Sequence, residues 1–178
     1  TLPAPGRVHL TMGESRMANT IPDIGLNDGN TIPQLGFGVF QIPPGNATRA
    51  AVDAALAAGY RHVDTAAVYR NEADVGAAVR ASGLEPGSVW VTTKLANADQ
   101  GAATARRAFE ASLERLGLEA VALYLLHWPH ERRLESWRVL EQLHAEGLAL
   151  SIGVSNFLVR HLDELLAHAS VPPSVNQI

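Results

Sequence analysis

The sequence predicts an α/β fold of the (β/α)₈-barrel (TIM-barrel) type in which only part of the barrel is present. Three observations support this prediction. Short apolar segments alternate strictly with helical segments, polar residues follow the strands at one common end, and the glycine pattern of an open dinucleotide-binding sheet is incomplete. Alternation of this kind implies parallel strands joined by right-handed crossovers. We expect six such strands and five helices after an N-terminal β-hairpin.

Residues 1–19 precede the first patterned segment and contain Pro3, Pro5, Gly6 and Gly13 without helical or alternating periodicity. We therefore expect residues 1–19 to be a flexible leader and residues 20–178 to form one barrel unit. Because Met17 stands just before the first patterned segment, residues 1–16 are interpreted as sequence upstream of the natural start.

The first patterned segment, residues 24–32, contains Asp28-Gly29, a pair that is favoured in a two-residue hairpin turn. A short β-hairpin should therefore open the fold. Residues 35–40 form an apolar run between prolines and predict the first barrel strand, and the Ala-rich residues 48–58 predict the first helix.

The strand-and-helix unit then repeats along the rest of the chain. The remaining strands are predicted over residues 61–64, 89–93, 118–126, 148–153 and 175–178. The remaining helices are predicted over residues 71–81, 102–116, 134–145 and 158–169.

Either a barrel or an open doubly wound sheet satisfies this alternation. A dinucleotide-binding open sheet carries Gly-x-Gly-x-x-Gly after its first strand. Here Gly36 and Gly38 are followed by Gln41 where the third glycine belongs. The barrel is therefore favoured.

The composition of the chain limits the classes of partner that it is expected to bind. The chain has 178 residues, 47% of them hydrophobic and 18% charged, with a net charge of −4 and both signs interspersed. This pattern favours a globular protein with a small-molecule partner over nucleic-acid or membrane binding. Cysteine is absent and no apolar stretch has the ~20 residues that span a bilayer, so a cytoplasmic location is expected.

Polar side chains fall at the ends of five successive strands, and in a parallel barrel these ends meet at the C-terminal mouth, where barrel enzymes carry their chemistry. They are Asp64, Lys94, His127, Ser155 with Asn156, and Gln177.

Each candidate also has a structural interpretation when it is taken alone. Asp64 could cap the following loop, Lys94 could be held by a carboxylate, and the loop residue Tyr69 could be a packing residue. His127 could be a core histidine bonded to a backbone carbonyl. A metal site at His127 and His130 is disfavoured because the proline between them prevents a regular helix, so no metal is expected.

Taken together, the motifs resemble those of the aldo-keto reductases, from about residue 21 to the end, and most closely those of bacterial members related to the diketogluconate reductases. Six strings occur in the family's order over about 115 residues. They are Asp64-Thr65-Ala66, Tyr69 with Asn71-Glu72, Thr93-Lys94, Leu126-His127-Trp128-Pro129, Ile152-Gly153-Val154-Ser155-Asn156-Phe157, and Val175-Asn176-Gln177-Ile178.

The resemblance implies reduction of an aldehyde, ketone or keto-sugar to an alcohol with NADP(H), by a catalytic tetrad of Asp64, Tyr69, Lys94 and His127. It implies that Asp64, Ser155, Asn156 and Gln177 bind the cofactor. It also implies that Phe40 and Trp128 form the apolar walls of the substrate pocket.

The tetrad has a physical logic. Reduction of a carbonyl by hydride requires a proton donor at the developing oxyanion, and a phenol with a pKa of about 10 is a weak acid at neutral pH. A lysinium beside Tyr69 should lower its pKa, and the Asp64 carboxylate should keep Lys94 charged. His127 is expected to orient the substrate oxygen.

Barrels of this family have eight strands, whereas this sequence stops within the sixth. We therefore expect the N-terminal part of a longer enzyme, monomeric when complete, whose isolated activity is doubtful and whose open sheet edges permit self-association. An inactive, reductase-like cofactor-binding or structural protein is the alternative. A metal-dependent barrel hydrolase using Asp64 and His127 is a third possibility, with too few ligands to favour it.

Overall fold

An antiparallel hairpin opens the part of the chain that the structure, a computed structural model, describes, which is residues 22–178. The predicted leader, residues 1–19, lies outside the described residues. The hairpin consists of β1 (Asp23–Gly25) and β2 (Thr31–Pro33). The prediction of a hairpin is confirmed.

The predicted two-residue turn is wrong. Leu26 N donates to Asn30 O at 2.8 Å, so the hairpin loop has three residues between these two. Gly29 is the residue of the loop that has a positive φ, at 89°, whereas a two-residue turn of the expected type needs positive φ at both central residues. A three-residue loop that ends in a left-handed glycine satisfies the same strand twist.

A sheet of six parallel strands follows the hairpin, with each strand paired to the next in chain order. The first and last strands, β3 and β8, are the two edges of this sheet. The strands are β3 (Phe37–Gly38), β4 (His62–Asp64), β5 (Trp90–Leu95), β6 (Val121–Leu126), β7 (Ala149–Ser155) and β8 (Asn176–Gln177).

Five helices connect the strands, as predicted, with boundaries that differ from the prediction by up to three residues. They are α1 (Asn46–Ala57), α2 (Glu72–Ala81), α3 (Ala105–Leu116), α4 (Arg133–Ala145) and α5 (Val159–Leu166). Two short 3₁₀ helices, which were not predicted, follow β4 and β5 at Ala67–Tyr69 and Asn97–Asp99. Their length of three residues is too short for a recognisable apolar period.

The main apolar core lies between the sheet and the helices. Its largest fully buried side chains include Trp137, Tyr124, Phe109 and Leu140. Tyr124 on β6 packs edge-on against Phe109 on α3, with ring centroids 4.8 Å apart. Because side chains alternate across a strand, residues on β5 point in turn to this core and to the inner face of the sheet.

The hairpin loop contacts the end of the sheet at which the strands begin. Asn30 Nδ2 donates to Leu150 O at 3.0 Å and to Ser151 Oγ at 3.1 Å, both early in β7. Ser174 Oγ, just before β8, donates to Asp28 Oδ2 at 2.8 Å. The hairpin loop therefore covers the end of the sheet at which the strands begin. The carboxyl ends of the strands, which form the mouth, lie at the opposite end.

None of the helices within residues 22–178 combines the length and the apolar character needed to cross a bilayer.

Candidate active site

A buried ion pair joins the carboxyl ends of β4 and β5. Lys94 Nζ donates to Asp64 Oδ1 at 2.5 Å and to the Thr65 carbonyl oxygen at 3.0 Å. The Lys94 side chain is fully buried, while that of Asp64 retains 15% of its exposure. Two neighbouring parallel strands place these residues together because Asp64 is in register with Thr92, two residues before Lys94 on the same face.

Burial and charge oppose each other at this pair. Burial lowers the pKa of Lys94 because the charged ammonium loses its hydration, and the neighbouring Asp64 carboxylate acts in the opposite direction. Gln177 supports the carboxylate by donating from Nε2 to Asp64 Oδ2 at 3.0 Å. Both oxygens of Asp64 therefore accept a hydrogen bond from another strand.

Tyr69 lies beside this pair at the end of the 3₁₀ helix Ala67–Tyr69. That turn stops at Arg70, which has a left-handed backbone with φ of 60°. Lys94 Nζ is 5.2 Å from the centroid of the Tyr69 ring. A cation at this distance from a phenol ring is attracted by the ring electrons.

The pKa of Tyr69 shifts in the direction opposite to our expectation. Burial raises it, and the negative charge of Asp64 raises it further. The prediction that Lys94 lowers the pKa of Tyr69 is therefore wrong. The physical reason is that Nζ is directed to Asp64 and Thr65 oxygens, and no hydrogen bond within residues 22–178 joins it to the Tyr69 hydroxyl.

His127 follows β6 and completes the cluster. Its ring meets that of Tyr69 edge-on, with the centroids 5.7 Å apart. Burial, followed by the positive charge of Lys94, lowers the pKa of His127 to about 4. The imidazole is thus neutral at pH 7, with one ring nitrogen available as an N–H donor.

The ends of β7 and β8 bring together three of the four predicted cofactor residues. Asn156 Nδ2 donates to Ser155 Oγ at 2.9 Å and to His127 O at 3.1 Å, and Ser155 Oγ donates to Gln177 O at 3.0 Å. Asn156 has a left-handed backbone with φ of 62°, a conformation that asparagine tolerates better than most residues. This local turn directs the amide back toward β6.

The two residues predicted as substrate-pocket walls have different surroundings. Phe40 is exposed and packs on the Tyr69 ring, with centroids 5.0 Å apart. Trp128 is exposed as well, and its carbonyl accepts a hydrogen bond from Gln100 Nε2 at 2.9 Å. No aromatic contact joins Trp128 to Phe40, Tyr69 or His127 in the described part of the chain.

Sequence reasoning missed two hydrogen bonds that hold this site together. The Thr65 carbonyl holds Lys94, and the Gln177 side chain holds Asp64 in addition to any contact with a cofactor. Neither was predicted because one involves a backbone group and the other depends on contact between β4 and β8. As for metals, no group of three or more His, Asp or Glu side chains suited to an ion occurs in residues 22–178.

Comparison with known proteins gives a consistent result. The sequence model of the Aldo/keto reductase family matches residues 34–178. An aldo-keto reductase of Mycobacterium sp. (strain MCS) is 51% identical over 171 residues, which is 94% of this chain and 59% of the relative. Glyoxal reductase of Bacillus subtilis is 46% identical over 154 residues, or 86% of this chain and 56% of the relative.

A solved structure matches the fold. The aldo-keto reductase of Bombyx mori, crystallised in complex with NADP, superposes with a TM-score of 0.83 at 37% identity, covering 90% of this chain and 59% of that one. This chain therefore spans about 59% of the length of the mycobacterial relative, and its sheet corresponds to part of a reductase barrel. Because the family model covers most of the sequence and the relatives share about half of the aligned residues, the chain belongs to the aldo/keto reductase family.

Proposed function

We propose that the mouth formed by β4 to β8 reduces the carbonyl of an aldehyde, ketone or keto-sugar to an alcohol with NADP(H). The observation that carries this proposal is the buried Asp64–Lys94 pair, with Tyr69 and His127 placed against it. Membership in the reductase family supports the reaction class. The names of the Bacillus subtilis glyoxal reductase and of the Bombyx mori reductase in complex with NADP support a carbonyl substrate and this cofactor.

The donor set at β7 and β8 fits the carboxamide of a nicotinamide. That group offers two N–H donors and one acceptor oxygen. Within residues 22–178, Oδ1 of Asn156 and Oε1 of Gln177 accept no hydrogen bond, so both are available to N–H groups. Ser155, Asn156 and Gln177 would therefore hold the carboxamide, and the bound cofactor supplies a hydride to the carbonyl carbon.

Tyr69 is assigned the proton donor. Its hydroxyl is protonated at neutral pH and can donate a hydrogen bond to a carbonyl oxygen, while burial and Asp64 raise its pKa, so transfer of the proton depends on stabilisation of the phenolate that forms. As negative charge develops on that oxygen, the ammonium of Lys94 stabilises it and the phenolate that remains after proton transfer. Asp64 keeps the ammonium in place.

His127 is assigned the second donor to the substrate oxygen. A pKa of about 4 keeps its ring neutral, so the ring can donate a hydrogen bond without competing with Tyr69 as an acid. Two donors from different strands would fix the oxygen and thereby the face of the carbonyl that receives the hydride. Phe40 would provide an apolar surface beside Tyr69.

The proposal is tested by titrating the purified chain with NADPH under fluorescence detection and then measuring NADPH oxidation with glyoxal and an aromatic aldehyde. We expect saturable binding and turnover in wild type. In Asn156→Ala, which loses its side-chain oxygen and two hydrogen bonds, we expect weaker binding. Saturable binding without turnover would support the inactive, cofactor-binding alternative instead. No binding would contradict the proposed function.

A further inference from the structure

Asn71 is a buried polar residue of the mouth to which the reaction above gives no part. It lies two residues after Tyr69, immediately before α2, and is fully buried. Asparagine in this position normally caps the helix with its side-chain oxygen. In this structure the side chain makes no capping bond to α2, so its burial requires another explanation.

The Asn71 side chain instead makes three hydrogen bonds to two other loops. Its Oδ1 accepts from Thr65 Oγ1 at 2.8 Å, and its Nδ2 donates to Val39 O at 3.0 Å and to Ile42 O at 3.3 Å. The backbone carbonyl of Asn71 separately accepts the first helical bonds, from Asp74 and Val75. The side chain is thus committed to the loops and the main chain to the helix.

Two of these loop positions, Val39 and Thr65, are adjacent in sequence to a residue of the site. Val39 precedes Phe40, whose ring packs on Tyr69. Thr65 follows Asp64, and its carbonyl accepts from Lys94. Asn71 itself is separated from Tyr69 by one residue, the left-handed Arg70.

Resting on the proposed function, we propose that Asn71 is a positioning residue that fixes the turn carrying Tyr69 relative to Lys94 and Phe40. Tyr69 needs such support because the turn that carries it has only three residues. No hydrogen bond to Lys94 or His127 fixes its hydroxyl within the described residues. The Asn71 amide supplies a rigid link that a short 3₁₀ turn lacks.

The physical consequence concerns the rate more than cofactor affinity. A displacement of the reacting group by about 1 Å can lower a rate by roughly 10²-fold. The proposed cofactor residues Ser155, Asn156 and Gln177 lie at the ends of β7 and β8, and within residues 22–178 they make no hydrogen bond with Asn71. Loss of Asn71 should therefore lower kcat while the Kd for NADPH stays nearly constant.

The test uses Asn71→Asp, which keeps the size and the acceptor but loses both donors, and Thr65→Val, which removes the one hydroxyl that bonds Asn71. Ser136→Ala is the matched control because Ser136 is equally buried and also makes side-chain hydrogen bonds, with Gly101 N and Arg132 O.

The chain contains three tyrosines, Tyr60, Tyr69 and Tyr124, so fluorine NMR after 3-fluorotyrosine labelling gives three signals. Tyr69→Phe identifies the signal of Tyr69.

In both test variants we expect the Tyr69 signal to shift or broaden, while the signals of Tyr60 and Tyr124 keep their positions and report an intact fold. We also expect kcat to fall about 10- to 100-fold with less than a twofold change in the NADPH Kd. Ser136→Ala should leave the Tyr69 signal and kcat unchanged. In a variant that combines Asn71→Asp with Thr65→Val, the loss of kcat should be smaller than the product of the two single losses, because both substitutions disrupt the same hydrogen-bonded contact.

An unmoved Tyr69 signal and an unchanged kcat in Asn71→Asp and Thr65→Val would overturn the positioning role while leaving the proposed function intact. A uniform change of all three tyrosine signals in Thr65→Val would overturn it as well, because it would make Asn71 a general fold residue. Absence of turnover in wild type, together with a selective shift of the Tyr69 signal in Asn71→Asp and Thr65→Val, would refute the proposed function and support the positioning of Tyr69.

Discussion

An ion pair with one fully buried member lies against each face of β5, with Lys94 as the buried member on the inner face and Glu72 on the outer face, and the two pairs have different roles. On the inner face, Lys94 meets Asp64 at the mouth. On the outer face, Thr93 Oγ1 donates to Glu72 Oε1 at 2.6 Å, and Arg115 Nε donates to Glu72 Oε2 at 2.7 Å. Thr93 and Lys94 are adjacent in sequence, and the pleat of one strand directs them into different layers.

In the outer pair, the Glu72 carboxylate has protein partners for both of its oxygens, as in a purely structural ion pair. Glu72 is 1% exposed, and both of its oxygens are bonded, one to a strand and one to α3. The inner pair is surrounded by groups whose hydrogen-bonding capacity is not used up. Lys94 has three N–H donors and two protein acceptors within residues 22–178, and Tyr69 and His127 lie against it. The two pairs therefore differ in the groups beside them, since only the inner pair adjoins further hydrogen-bonding side chains at the mouth.

The largest effect should follow removal of the inner cation. Lys94→Met is expected to lower kcat by roughly 10²- to 10³-fold, because an oriented charge beside a developing oxyanion contributes on that scale. The measurement is NADPH oxidation at saturating aldehyde, with far-ultraviolet circular dichroism as the control for folding. Retention of more than half of the wild-type kcat would show that the two faces of β5 do not differ in the way described.

Breaking the outer pair should affect stability and not rate. Arg115→Leu leaves the buried Glu72 carboxylate with Thr93 as its remaining partner in this pair, which should cost about 1–3 kcal/mol of unfolding free energy. Urea denaturation gives the stability, and kcat measured below the transition should stay within about twofold of wild type. A large loss of kcat with unchanged stability would assign catalysis to the outer face.

The smallest effect concerns protonation at the mouth. Because the pKa of His127 is lowered to about 4 from 6.5, the unfolded chain binds the proton more readily than the folded chain between these values. The contribution of the neutral His127 ring to stability is present above pH 6.5 and is lost as the pH falls toward 4. For a partly solvated ring we expect about 1 kcal/mol, below the full value of the shift.

Urea unfolding at pH 7 and pH 4.5 in wild type and in His127→Gln measures this contribution. The variant should lose less stability than wild type across this interval, since glutamine does not titrate. An equal loss in both proteins would show that protonation of His127 does not cause the loss of stability between pH 7 and pH 4.5.

Several features of the fold could be predicted from residue patterns alone. Alternating apolar and helical segments indicated six parallel strands and five helices, and Asp28-Gly29 indicated the hairpin. The three-residue hairpin loop was not recognised because the turn type depends on the register of β1 and β2, which the local pair does not determine. The 3₁₀ helix under Tyr69 was missed because three residues are too few for a period.

The candidate site likewise has features that the sequence predicts and features that it does not. The ends of parallel strands converge, so the polar residues after each strand could be predicted to share one mouth, and Asp64, Lys94 and Gln177 do so. The direction of the Tyr69 pKa could not be predicted, because it depends on the balance between burial and the carboxylate of Asp64. The use of the Asn71 side chain was equally hidden, since an asparagine before a helix predicts a cap.

The sequence by itself determined the order of strands and helices, the end of the sheet that carries polar groups, and the family resemblance, because these depend on periodicity and spacing along the chain. Only the tertiary structure decided which partner each buried polar group has. Asn71 bonds to Val39 and Thr65, and Asp64 to Lys94 and Gln177, across separations of up to 113 residues. Buried donors and acceptors must find partners in space, and that requirement is satisfied only when the chain is folded.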